Sequence, residues 1–213
     1  MEVNLLDMYP KRDRDTKARL KEKTLKLKAI ADKYGWEYFD KKGICYNGYN
    51  YDGRWIPIAK HIIKYYGLSK EARILDVGAA KGYLVYDLRN LDMNAYGIDA
   101  SEYAISCCPD EVKPYMKVKD ARALRDYKDK EFDLVISINT IHNLEYDECE
   151  RVVNEIQRIG KHAFITVDSY RNDYEKERLF DWAITGKTLL SADEWKQMFD
   201  NVGYTGDYYW FIV

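Results

Sequence analysis

From residue 72 onward the chain alternates short apolar runs with helical segments, and this constrains the fold more than any other feature of its 213 residues. The runs are ARILDV, NAYGID, YMKVK, FDLVISI and HAFITVD. Helical segments are expected between them, around 81–90, 101–107 and 146–158. Such alternation predicts a mostly parallel, doubly wound α/β sheet covered by helices on both faces. Ser191 followed by Glu194 reads as a capping box opening a helix to about Val202, which Gly203 closes. Only ten residues follow Gly203, and YTGDYYWFIV reads as a single terminal strand.

Residues 1–70 read as an N-terminal helical extension and aromatic lid, and residues 71–213 as the ligand-binding domain. Leu20, Thr24, Leu27, Ile30 and Tyr34 share one helical face, which predicts one helix over 12–34 ending at Gly35. The stretch WEYFDKKGICYNGYNYDGRW lacks either period and is expected as an aromatic loop. Pro57 is expected to open a helix through Tyr66, stopped by Gly67. Residues 11–33 hold ten basic and four acidic side chains, while the whole chain has a net charge of -2. A broad nucleic-acid footprint is therefore not expected, and most of these lysines are expected to be solvated. Cys45, Cys107, Cys108 and Cys149 show no CxxC spacing and are expected to be reduced. No apolar stretch suits a signal core or a membrane span, so a soluble cytoplasmic protein is expected, as a monomer or homodimer.

The turn Asp76-Val77-Gly78-Ala79-Ala80-Lys81-Gly82 follows a buried strand and precedes a helix. Its glycines permit close approach of a ligand, and the helix start offers free N–H groups. Asp99 ends the next strand twenty-one positions after Gly78, placed to accept from both hydroxyls of a ribose. Asp120 with Ala121, after YMKVK, is placed to meet an adenine. An adenosine-bearing ligand is expected. A dinucleotide fingerprint would need glycine at Ala80 and glycine or alanine at Tyr83, so a nicotinamide-dependent oxidoreductase is not favoured.

These residues resemble the class I S-adenosylmethionine-dependent methyltransferases over roughly residues 72–213. The resemblance implies a Rossmann-like fold, S-adenosyl-L-methionine as cofactor and S-adenosyl-L-homocysteine as its product. It implies Asp76, Gly78 and Gly82, with Ala79 and Ala80, for the methionine part. It implies Asp99 and Ala100 for the ribose, Asp120 and Ala121 for the adenine, and Asn139 beside the cofactor. The family's middle glycine is replaced here by Ala80, and one terminal strand stands where the family usually has two.

The acceptor is expected beyond the fourth and fifth strand ends. Asn139, His142 and Asn143 cluster at the first, and Asp168, Tyr170 and Arg171 at the second. His142, with Asn139, is the candidate catalytic pair, the imidazole suiting a general base. In-line transfer by proximity is the alternative. No metal is expected, since Asn139 and Asp168 make an incomplete ligand set. Tyr46, Tyr49, Tyr51, Arg54 and Trp55 are expected to close over the site, and a helix over about 173–184 to form another wall. A small-molecule acceptor methylated on oxygen or nitrogen is expected. The overall pattern resembles bacterial methyltransferases of surface-polysaccharide or small-metabolite pathways. A nucleic-acid methyltransferase and a non-catalytic cofactor-binding protein are the alternatives.

Overall fold

The computed structural model describes residues 1–10, 14–45 and 48–213; Tyr46, and the first two positions of the expected 12–34 helix, lie outside the described residues. Six strands form one sheet: β1 (Arg73–Val77), β2 (Asn94–Asp99), β3 (Met116–Val118), β4 (Phe132–Ile138), β5 (Gly160–Ser169) and β6 (Asp207–Ile212). Their spatial order is β3-β2-β1-β4-β5-β6, and all five pairings are parallel. The last strand is single, as expected, and runs alongside β5 with Phe211 opposite Asp168.

The strands bury side chains on both faces, which explains their near-continuous apolar character. Ile74, Leu134, Ile136 and Phe164 point to one layer, Leu75, Val77, Val135 and Ile165 to the other. The first layer is closed by α4 (Trp55–Tyr66), through Ile58, Ala59 and Ile62, and by α5 (Tyr83–Asn90), through Leu84, Val85 and Leu88. The opposite layer is closed by α7 (Tyr146–Ile159), whose Cys149, Val152, Val153, Ile156 and Ile159 form one stripe at helical spacing. It is completed by α9 (Ala192–Asn201), opened by the expected Ser191–Glu194 capping box. Phe199 stacks there on Trp210, centroids 5.9 Å apart, and also meets Trp195, Tyr204 and Tyr208.

The N-terminal region departs from the sequence expectation. Instead of one helix over 12–34 there are two, α1 (Thr16–Glu22) and α2 (Leu25–Ala31). Thr24, assigned to the apolar face, is an N-cap whose Oγ1 accepts from the Leu27 amide, and Lys23 before it is extended. A threonine at that position satisfies a helix start better than it fills a core, so periodicity joined two short helices. Leu20 accordingly lies 45% exposed, while Leu27 and Ala31 are buried. The aromatic stretch contains a short helix, α3 (Trp36–Phe39), and α4 begins at Trp55, two residues before Pro57. Of the lysines, Lys17, Lys21, Lys26 and Lys33 are exposed, as expected of most of them, whereas Lys23 donates to the carbonyl of Phe180 and Lys28 to that of Ile184, and Arg19 donates to the carbonyls of Ile44 and Cys45. Residues 1–6 reach the sheet: Val3 N–H donates to the Tyr208 carbonyl at 2.9 Å, and Leu5 and Leu6 join the core under α4.

The remaining helices are α6 (Glu102–Ser106) and α8 (Asp173–Trp182). No helix among the described residues is long and apolar enough to cross a membrane. Phe199→Ala should destabilise the protein by about 3–5 kcal/mol, because it empties the centre of a ring cluster that cannot collapse freely; urea unfolding followed by fluorescence measures this, and a loss under 1 kcal/mol would contradict it.

Candidate active site

A cavity of about 580 Å³ opens along the carboxyl edge of the sheet. Because every strand is parallel, every strand end faces this edge, and the cavity spans from the β3 end to the β6 end. Its wall takes Lys119, Asp120, Ala121 and Arg122 after β3, Asp99 and Ala100 after β2, Gly78 and Ala80 after β1. Ile138, Asn139, Thr140, Asn143 and Leu144 follow from β4, and Phe211 from β6. Leu6, Tyr9, Arg14, Tyr34, Tyr38, Phe39, Tyr49 and Trp55 cover it from the N-terminal region.

The glycine turn has the geometry of a cradle. Gly78 has φ +83°, and a Cβ there would sit 2.1 Å from Thr140 Oγ1; Gly82 has φ +69° and abuts Met116. Only a residue without a side chain can join β1 to α5 this close to the β4 end. Ala80 also has a positive φ, 49°, a conformation that costs an alanine about 1–2 kcal/mol relative to the right-handed region. That strain orients its amide, which donates to Asp99 Oδ2 at 2.8 Å.

Asp99 is held from both sides, since Ser101 N–H donates to Oδ1 at 2.8 Å. Each oxygen keeps a lone pair toward the cavity, as two ribose hydroxyls require. Burial pushes its carboxyl up from the usual carboxylate range against the pull of these two amides. Asp76 lies beneath the turn, buried and without a hydrogen-bond partner among the described residues; desolvation and the nearby Asp99 push it up to about 7. Asp76 is not among the residues that line the cavity; it stands behind the turn whose Gly78 and Ala80 do. Asp120 accepts from the Arg122 amide, Nε and Nη2, at 2.8, 2.9 and 2.6 Å, which holds it below its usual value. Asn143 lines the cavity, and its Oδ1 is buried without a partner among the described residues. The cradle, the two-handed Asp99 and these orphan acceptors fit an adenosine-bearing, amine-bearing cofactor.

At the β4 end, Asn139 has φ +50° and its Oδ1 accepts from Thr166 Oγ1 at 2.8 Å, leaving its amide N–H₂ without a partner among the described residues. His142 is buried and is not part of the cavity wall. Its Nδ1 accepts from the Asp168 amide at 3.1 Å, which places the ring proton on Nε2, 3.7 Å from Asp168 Oδ2. Burial lowers its pKa despite that carboxylate. Its carbonyl accepts from the amides of Lys187 and Thr188, so the residue ties the ends of β4 and β5 to the chain after α8.

The other sequence-selected residues divide by place. Tyr49 and Trp55 line the cavity, whereas Ala79, Gly82, Tyr51, Arg54, Asp168, Tyr170 and Arg171 do not. Tyr51 donates to Asp87 at 2.6 Å on the outside of α5. Arg54 pairs with Asp52 and donates to Tyr9 Oη at 3.2 Å. Tyr170 meets Phe180, and Arg171 reaches Glu2 at 3.2 Å, both away from the cavity. Sequence reasoning missed Leu6, Tyr9, Arg14, Thr140 and Phe211, and it missed what holds the cover down. Lys81, buried in the glycine turn, donates to Asp40 Oδ1 and Oδ2 at 2.6 and 2.7 Å and to the Tyr49 carbonyl at 2.9 Å. Tyr103 adds a donor to Asp40 at 2.6 Å. Burial alone would push the Asp40 carboxyl up, but Lys81 and Tyr103 outweigh it and hold it low.

Residues 75–163 match the family model described as a methyltransferase domain. No curated protein matches. Among solved structures, a SAM-dependent methyltransferase from Archaeoglobus fulgidus aligns at 20% identity and TM-score 0.54, over 68% of this chain and 67% of that one. A methyltransferase of Haloferax volcanii in complex with its Trm112 activator aligns at 19% identity and TM-score 0.55, over 91% and 77%. A protein of Anabaena variabilis ascribed to an antibiotic biosynthesis pathway as a methyltransferase aligns at 26% and 0.52, over 70% and 61%. The chain spans about two thirds of the length of the solved structures it matches.

The raised carboxyl of Asp76 carries a pH signature. Its folded pKa lies above the unfolded value near ~3.9, so the native state holds the proton more tightly, and the ligand-free protein should lose stability as pH rises from about 4 to about 7. Asp76→Asn should flatten that part of the Tm-against-pH curve; an identical slope in the variant would refute the assignment.

Proposed function

We propose that this chain, a class I S-adenosylmethionine-dependent methyltransferase, transfers a methyl group to an oxygen or nitrogen of a small molecule held between the β4 end and the N-terminal cover. The observation that carries this reading is one continuous cavity that is lined by the carboxylates of Asp99 and Asp120 at the β2 and β3 ends and by Tyr9, Trp55 and Phe211 at its other end. When bound, the cofactor supplies a sulfonium methyl as electrophile. Asp99 would hold the ribose, Asp76 the amino group, and Asp120 with Asn143 the adenine.

The chain's own contribution is placement and exclusion of water. The glycine cradle brings Asn139 and Thr140 close to the turn, and the cover held by Lys81 shuts the cavity from above. The wall residues supplied by the β4 end, Ile138, Asn139, Thr140, Asn143 and Leu144, include no group that titrates near neutrality. Transfer would then depend on alignment of the acceptor's lone pair, with Asn139 N–H₂ orienting the nucleophile and its proton leaving to solvent. His142 acts as a positioning residue that fixes the β4 and β5 ends. The cover that Tyr9, Tyr34, Tyr38, Phe39, Tyr49 and Trp55 place over part of the cavity supports a small acceptor over a nucleic acid. The basic side chains of α1 and α2 that bind backbone carbonyls point the same way.

Calorimetric titration with S-adenosylhomocysteine tests the cofactor assignment: Asp99→Ala should weaken binding by about 1–3 kcal/mol, the value of charged hydrogen bonds removed. Unchanged affinity, or tighter binding of a nicotinamide dinucleotide, would refute it. His142→Gln should lower Tm and raise KM for the acceptor while leaving the pH profile of kcat unaltered; a ~100-fold fall in kcat with loss of an inflection that the wild type shows and an intact Tm would restore the imidazole as general base.

A further inference from the structure

The outer face of the N-terminal cover carries large apolar side chains that nothing in the fold requires to be there. Leu25 is 89% exposed, and Leu20 and, on the neighbouring α8, Phe180 are each 45% exposed. Single exposed apolar residues are ordinary, whereas a contiguous group calls for a partner. These three are neighbours. Lys17, Leu20 and Lys23 stand three residues apart along α1 and its cap, and so do Glu177 and Phe180 on α8. Lys17 binds Glu177 and Lys23 donates to the Phe180 carbonyl at 2.6 Å, so Leu20, between the two lysines, lies beside Phe180. Leu25 opens α2 two residues after Lys23. On α2 the packed side is that of Leu27 and Ala31, and Leu25, Lys26 and Ala29 occupy the opposite, exposed side.

The same face is positively charged. Residues 16–33 hold seven basic and two acidic side chains, in a chain whose net charge is -2. Part of this excess is neutralised on the spot: Lys17 pairs with Glu177 and Asp181, Arg19 with Glu22 and Lys28 with Asp32. Lys21, Lys26 and Lys33 are exposed and make no ion pair among the described residues. Three unneutralised ammonium groups therefore flank the apolar group, while the rest of the chain carries the negative excess. A second copy of the chain is disfavoured as the occupant, because a symmetric contact would set like charges against each other. A nucleic acid has use for the lysines but none for two exposed leucines, since its backbone is read by charge and its bases by aromatic stacking or hydrogen bonds. Aliphatic side chains ringed by lysines match the boundary between the headgroups and the acyl chains of an anionic membrane.

We infer that the α1–α2 face docks on an anionic lipid bilayer, with Leu20, Leu25 and Phe180 entering the interfacial layer and Lys21, Lys26 and Lys33 meeting the headgroups. This docking goes beyond the methyl-transfer reading and does not depend on it. The chain runs from α2 directly into Asp32, Lys33 and Tyr34 of the cavity wall, so the membrane-facing element is also part of the cover of the candidate active site.

Sedimentation of the full-length protein with vesicles tests the docking, using phosphatidylcholine mixed with phosphatidylglycerol in one set and phosphatidylcholine alone in the other. The mixed vesicles should bind the protein tenfold or more tightly than the neutral ones, and added salt should erase most of the difference. Leu20→Ser combined with Leu25→Ser should weaken binding to the mixed vesicles about tenfold. Lys21→Gln combined with Lys26→Gln should remove most of the preference for the anionic lipid, and both variants should keep the wild-type Tm because the replaced side chains are exposed. Failure of the wild type to sediment with the mixed vesicles, equal binding to both sets, or binding that neither variant weakens overturns the inference. So does a dimer in vesicle-free solution that the leucine variant dissociates, which would assign the face to a second copy, or tighter binding to a short RNA or DNA duplex than to the mixed vesicles at the same ionic strength.

Discussion

Parallel pairing throughout the sheet is the constraint from which the rest follows. With all five pairings parallel, each strand must be re-entered from the opposite edge, so every carboxyl end and every loop that follows one gathers along a single line. The cavity is that line. The single terminal strand matters for the same reason: because β6 runs with β5 rather than against it, Phe211 arrives at the ligand edge instead of the far one.

The covering segment has a small core of its own, Leu27, Ala31, Tyr38 and Phe39 against Ala104 and Ile184. Its polar tether sits elsewhere, where Lys81 and Tyr103 converge on Asp40. Replacing one member of such a buried pair leaves a charge without compensation, which is far more damaging than the pair is stabilising. The tether therefore fixes where the cover rests more than it holds the molecule together. It also links the conformation of the glycine turn to the conformation of the cover, since one ammonium group serves both.

The mostly parallel sheet, its strand segments β1 to β5 and the glycine turn were readable from the sequence, because each rests on local signals: apolar runs of strand length, a glycine turn between strand and helix, a carboxylate at a strand end. Spacing singled out Gly78 and Asp99, but not the hydrogen bond by which the Ala80 amide ties Asp99 to the turn. What was not readable depends on residues distant in the chain. Forty-one positions separate Asp40 from Lys81, and nothing in either segment marks the other. Tyr9 and Arg14 follow a segment that begins with Met1, Glu2 and Val3 paired to Tyr208 of β6, a bridge no periodicity records. Thr24 shows the complementary error, where a pattern that fits one long helix is overruled by the capping chemistry of a single hydroxyl. Tyr170 and Arg171, selected for polarity after a strand, turn outward because Ser191 bridges to Tyr170 and Glu2 draws the arginine to the surface.

Asp76 and Asp99 lie at the same turn, both with affinity for protons raised chiefly by burial; Asp99 adds to the cost of ionising Asp76, and Asp120 to that of Asp99. A ligand that brings an ammonium group and two hydroxyl donors to these carboxylates stabilises their ionised forms, and so expels whatever proton the empty site retained near neutrality. If the cofactor binds to these carboxylates as proposed, its capture also releases acid. The heat it evolves should vary with the ionisation enthalpy of the buffer, and the apparent affinity should strengthen as the medium becomes more alkaline through the neutral range.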